Sequence, residues 1–148
     1  MDLERARQEI RALAHYQGAR AVVEYLYDHF PHYAWVGIYW VEGPDLVLGP
    51  WKGPQATEHT RIPIGKGVCG AAARSGRTEI VGDVRADPRY LACFPSTRSE
   101  IVVPILVGGQ VVGEIDIDGS DLNAFSETDR TFLEGIAGFL APLAPDTD

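Results

Sequence analysis

Over residues 2–30, apolar positions recur at helical spacing, with charges between them. Leu3, Ile10, Leu13 and Ala14 form one stripe, and Asp2 stands where an N-cap is expected. Gly18 is predicted to divide the stretch into two helices. The second carries Ala21, Val22, Tyr25 and Leu26 on one face, and Pro31 closes it. The pattern then changes to strand composition. Residues 34–41, AWVGIYWV, are aromatic and β-branched, and a Glu42-Gly43-Pro44-Asp45 turn leads into a second strand over 45–51. A polar loop over 52–58 and a short extended piece over 59–63 follow. Gly65-Lys66-Gly67-Val68-Cys69-Gly70 reads as a tight loop opening a short helix that stops near Gly76. A strand over 78–82 precedes an irregular segment over 83–98, a length that in a small domain usually accompanies function or mobility. Residues 99–107 and 110–118 form a hairpin about Gly108-Gly109. Ser126 and Asp129 have capping-box spacing and open a last helix over 127–141, with 142–148 expected as a flexible tail.

This order, with short hairpin links, predicts an α+β domain: a central antiparallel sheet flanked by N-terminal and C-terminal helices. No repeat or linker interrupts residues 1–148, so one domain is expected. A chain of 148 residues buries roughly 68–70% of its unfolded surface and folds without staples.

Charge narrows the function. The net charge of -8 repels phosphate, which argues against nucleic acid and anionic membrane as partners. No apolar run reaches the ~20 residues of a membrane span, and the N-terminus has no signal core. A cytoplasmic protein is the expectation. With only two cysteines in the chain, free or catalytic thiols are expected in a reducing compartment.

Four features carry candidate chemistry. Cys69 stands at a predicted helix N-terminus near Lys66, which favours a thiolate; packing as a small apolar residue is the alternative. Cys93 lies in the long loop with Arg85, Arg89 and Arg98 nearby, and an apolar anchor is again the alternative. The spacing of the cysteines is not that of a zinc motif, and no histidine completes one, so no metal is expected. Glu114, Asp116 and Asp118 alternate along one strand, opposite an apolar face, and two aspartates inside a strand call for a reason. A bound ammonium would supply it. A strict Gly108-Gly109 turn would put Glu100 on the wrong face for this cluster, whereas a three-residue loop, or a bulge near Pro104, would bring it round. Trp35 and Tyr39 share a strand face and could wall a small apolar pocket, or simply pack.

Taken together, Trp35-Val36-Gly37-Ile38-Tyr39, Leu48-Gly49-Pro50, the run from Arg61 to Gly70, Cys93 with Ser99-Glu100-Ile101-Val102-Val103-Pro104, and Asp116-Ile117-Asp118 resemble the free methionine-(R)-sulfoxide reductases of the GAF superfamily. The resemblance covers residues 33–137 and implies a GAF-like fold. It implies Cys93 as nucleophile and Cys69 as resolving thiol. It also implies that Glu100, Asp116 and Asp118 hold the polar groups of free methionine-R-sulfoxide, with Trp35 and Tyr39 against its methyl group. No cofactor is required, a thioredoxin-like reductant recycles the thiols, and a homodimer is the state common in the family. Many members carry a third cysteine where this chain has His59. The competing class is a GAF sensor that binds a small molecule without catalysis.

Overall fold

The structure, a computed structural model, describes residues 2–92 and 94–145. Asp2 caps α1 (Leu3–Tyr16) by accepting from the Arg5 N–H at 3.1 Å. Gly18, at φ 95, separates it from α2 (Ala19–His29), as the sequence predicts. Then come β1 (Trp35–Glu42), β2 (Asp45–Lys52), β3 (Arg61–Pro63), α3 (Gly67–Ser75), β4 (Glu79–Val81), β5 (Ser99–Val107), β6 (Gln110–Gly119) and α4 (Glu127–Leu140). Short 3-10 turns cover Val84–Ala86 and Ala141–Leu143. Pro142 therefore does not end the ordered chain; Leu143 packs against the core, and residues 146–148 lie outside the described residues.

The strands form one 6-stranded sheet in the order β3-β2-β1-β6-β5-β4, and every pairing is antiparallel. Each face carries its own core. Val36, Ile38, Ile101, Val103, Ile105, Ile115 and Ile117 point to the side covered by α1, α2 and α4. The N-terminal and C-terminal helices thus share one face. The opposite face packs Tyr39, Leu46 and Val102 against Val68, Cys69, Ala72 and Ala73 of α3.

Register decides what reaches that second face. Gly108 and Gly109 have φ 58 and 81, the left-handed values that a two-residue hairpin turn demands, and Val107 pairs with Gln110. The ladder then shifts between Ile105 and Leu106, next to Pro104. Past this bulge Glu100 pairs with Asp118, Val102 with Asp116 and Pro104 with Glu114. On the other side of β6, Trp35 pairs with Asp118 and Tyr39 with Glu114. Glu100 and the β6 acids therefore share one face with Trp35 and Tyr39, as the bulge condition requires.

Candidate functional site

Four carboxylates converge under α3. Glu100, Glu114, Asp116 and Asp118 are all buried, with exposures of 4%, 0%, 2% and 2%. Ionised carboxylates are costly to bury without partners. Yet both oxygens of Glu114, Oδ1 of Asp116 and Oδ1 of Asp118 have no hydrogen-bond partner among the described residues. Burial pushes Glu114 and Asp118 well above the ordinary carboxylate range, and the charge of Asp116 adds to both. Asp116 is raised by burial too, although hydrogen bonds from Glu100 and Cys69 and the charge of His59 oppose the rise. Glu100 bonds to both Asp116 and Asp118. A bond between two carboxyls needs a proton on one of them, and the upward shifts of Asp116 and Asp118 favour the protonated form.

Cys69 lies in the first turn of α3, buried against the same acids. Gly70 lets the loop after β3 fold tightly onto the start of α3: a Cβ there would stand 2.9 Å from the Pro63 carbonyl oxygen and 2.8 Å from the Gly65 nitrogen. The helix-terminus argument marks Cys69 as an activated thiol, and the surroundings reverse it. Burial raises its pKa well above the ordinary value, and the charges of Asp116, Glu114 and Glu100 raise it further. Lys66 is exposed and does not offset them.

Tyr39, His59, Ile62, Val68, Cys69, Leu91, Glu100 and Asp116 enclose a cavity of about 20 Å³. That is room for about one water. Trp35 and Asp118 sit beside it on the same sheet face. The Trp35 indole lies over Gly37 and Gly53, where a Cβ would come within 2.3 Å of the ring at either position, and it stacks on Trp51 at 6.1 Å. Cys93 lies outside the described residues. Of the described residues beside it in sequence, Leu91 lines the cavity, and Phe94 is buried with its ring 6.0 Å from that of Trp35.

From sequence, His59 stands where many members of the resembling family carry a third cysteine, with no contact assigned to its imidazole. The structure sets it at the cavity wall, held from two sides. The buried Tyr39 hydroxyl donates to the His59 carbonyl at 2.6 Å, and His59 Nε2 donates to the Ala92 carbonyl at 3.1 Å. The imidazole thus ties the β2–β3 loop to the residue preceding Cys93. The third-cysteine position in the family points to the site, but the bond to Ala92 joins residues 33 apart in the chain and has no local signal. Of the arginines near Cys93, Arg89 is engaged by Asp87 at 2.8 Å and by Glu79 at 3.2 Å, and Arg85 reaches the Pro95 carbonyl at 3.4 Å.

The family model for the GAF domain matches residues 17–142. The chain belongs to the GAF domain family. Within it, this GAF domain is 42% identical over 131 residues to protein YtsP of Bacillus subtilis, covering 87% of this chain and 77% of the relative. It is 35% identical over 123 residues to the free methionine-R-sulfoxide reductase of Escherichia coli, covering 83% and 73% of the two chains. Its structure matches that of free methionine-R-sulfoxide reductase from Neisseria meningitidis in complex with its substrate, with TM-score 0.88, 37% identity and coverage of 95% and 86%. The resemblance read from the motifs is borne out by these relatives.

Proposed function

We propose that this GAF domain reduces free methionine-R-sulfoxide to methionine, with Cys93 as nucleophile. The observation that carries the reading is the meeting of a thiol, Cys69, with the buried acids Glu100 and Asp116 at one small cavity. Relatives that bear this activity by name support the substrate.

The chemistry needs a thiolate, a proton and a second thiol. The Cys93 thiolate attacks the sulfoxide sulfur, and the oxygen passes to the cysteine as its bond to the methionine sulfur breaks. One proton is consumed, methionine leaves, and Cys93 carries a sulfenic acid. Glu100 is the proton donor in this reading, because it bonds to Asp116 and Asp118, where the protonated form is favoured. Asp116 and Asp118 hold the substrate ammonium, which answers their unpaired oxygens. Peptide-bound methionine generally lacks that ammonium, so the free amino acid is preferred. Trp35 and Tyr39 meet the methyl group.

The Cys69 thiol then attacks the sulfenic sulfur, giving a Cys69–Cys93 disulfide and releasing water. A thioredoxin-like dithiol returns both thiols with two electrons and two protons. No cofactor takes part. A cytoplasmic setting and a homodimer accompany this reading. Among the described residues no helix is long and apolar enough to cross a membrane.

The cavity is too small for methionine sulfoxide, so the loop bearing Leu91 and Ala92 must draw back from His59 for substrate to enter. Thiol-dependent loss of free R-sulfoxide, with the S-epimer untouched, is the expected result. Tight binding of methionine sulfoxide without turnover would select the sensor alternative instead.

A further inference from the structure

Cys69 Sγ, a Glu100 carboxylate oxygen and an Asp116 carboxylate oxygen all lie within 4.8 Å of one another. They come from α3, β5 and β6, so spacing along the chain gives no sign of the grouping. All are buried, and Oδ1 of Asp116, a residue at 2% exposure, has no partner among the described residues. Glu114 is wholly buried beside them with two more unpaired oxygens.

The donor set has a definite preference. A thiolate and two carboxylates bring three negative charges into a place that excludes water. An ammonium answers one of them; a divalent cation answers two. The soft thiolate selects zinc-like ions over magnesium or calcium. Tetrahedral zinc, with bonds of about 2.3 Å to sulfur and 2.0–2.2 Å to oxygen, places its ligands about 3.4–3.6 Å apart. Donors already within 4.8 Å need only small side-chain rotations to meet that geometry. The adjoining cavity of about 20 Å³ has room for the water that completes a four-coordinate site.

The geometry points to an inhibitory zinc site formed by Cys69, Glu100 and Asp116, overlapping the place of the substrate ammonium. Binding releases the Cys69 thiol proton and the proton held between the Glu100 and Asp116 carboxyls, as sulfur and both carboxylates bond the metal, and leaves every oxidation state unchanged. The bound ion withholds the resolving thiol and blocks methionine sulfoxide. Metal binding itself is independent of the proposed activity; only the inhibition rests on it.

The test is a titration of the reduced full chain with cobalt(II), read by its thiolate-to-metal charge-transfer band, with zinc as competitor. One ion per chain is expected. The band is lost in Cys69→Ser, weakened at least tenfold in affinity in Asp116→Asn, and retained in Cys93→Ser. Free methionine-R-sulfoxide lowers the apparent metal affinity at least tenfold, and zinc inhibits turnover in a manner that excess substrate and chelator reverse. Far-UV circular dichroism confirms that each variant is folded, and Asp116→Asn serves if Cys69→Ser is not. A band that follows Cys93 and ignores Cys69, or no band in active enzyme, overturns the site. A Cys69-dependent band in a protein without turnover keeps the metal site and rejects the reductase reading, so the two failures are distinguishable.

Discussion

At the scale of single residues, Glu114 is the clearest departure from what a core position calls for. It is wholly buried and faces Tyr39 and Pro104 across the sheet, with the Cys69 thiol alone opposing the upward push of burial on its carboxyl. An apolar side chain there would avoid the desolvation cost, so Glu114→Leu is expected to stabilise the fold by about 1–3 kcal/mol at neutral pH. The pH dependence follows from the direction of its shift. Burial raises the folded-state pKa of Glu114 well above 4.5, its ordinary value. Above that pH the unfolded chain has released a proton that the folded chain retains. Stability therefore falls as pH rises, with a slope of up to ~1.4 kcal/mol per pH unit for each such group, until the folded pKa is reached. Urea midpoints measured from pH 5 to 8 should decline for the wild type and decline less for Glu114→Leu. Identical slopes would show that Glu114 is ionised in the fold. Cys69 shows why such facts escape a sequence. Its position at a helix start is legible, but the acids that oppose its ionisation come from strands far along the chain.

At the scale of elements, local signals were readable because their causes are local. The break at Gly18, the Gly43–Pro44 and Gly108–Gly109 turns and the start of α4 all rest on residues adjacent in sequence. Gly108 has φ 58 and open space around a Cβ, so Gly108→Ala should cost about 1–2 kcal/mol through backbone strain alone. A loss well under half a kcal/mol in thermal or urea denaturation would contradict the turn geometry. Asp129 does more than cap α4. It accepts from the Ser126 N–H at 3.0 Å, the Tyr33 hydroxyl at 2.7 Å and His32 at 2.9 Å. Burial opposes its ionisation, and these bonds outweigh that and hold its pKa below the ordinary value. Asp129→Ala should therefore cost about 1–2 kcal/mol at neutral pH. The loss should shrink in acid, as the wild-type carboxylate is protonated and its contribution disappears. A loss that is constant with pH would assign Asp129 a packing role only. The parity of the β5–β6 hairpin marks the edge of legibility. Glycines fix the turn, but the bulge beside Pro104 that brings Glu100 onto the acid face could be posed from sequence only as a condition.

Across the whole molecule, the sheet separates stability from chemistry. One face packs an aliphatic core against α1, α2 and α4, and the other holds the acids, Cys69 and the cavity beneath α3. Sequence patterning predicted helices flanking a sheet but not that the N-terminal and C-terminal helices share a face. That arrangement depends on β1 lying between β2 and β6, a pairing between distant parts of the chain. His59, at the cavity wall, holds the Ala92 carbonyl. His59→Ala should speed amide hydrogen exchange in the peptide spanning residues 90–94 at least several-fold, with α1 and α4 unchanged. Unaltered exchange there would mean that the loop is held by other contacts.

The most direct measurement of the central claim is reductant-coupled turnover of free methionine-R-sulfoxide and its S-epimer by wild type, Cys93→Ser and Cys69→Ser. R-specific turnover is expected in the wild type, loss by at least a thousandfold in Cys93→Ser, and a defect in recycling in Cys69→Ser, with the first turnover retained. Undiminished turnover in Cys93→Ser, or consumption of both epimers alike, would contradict that claim.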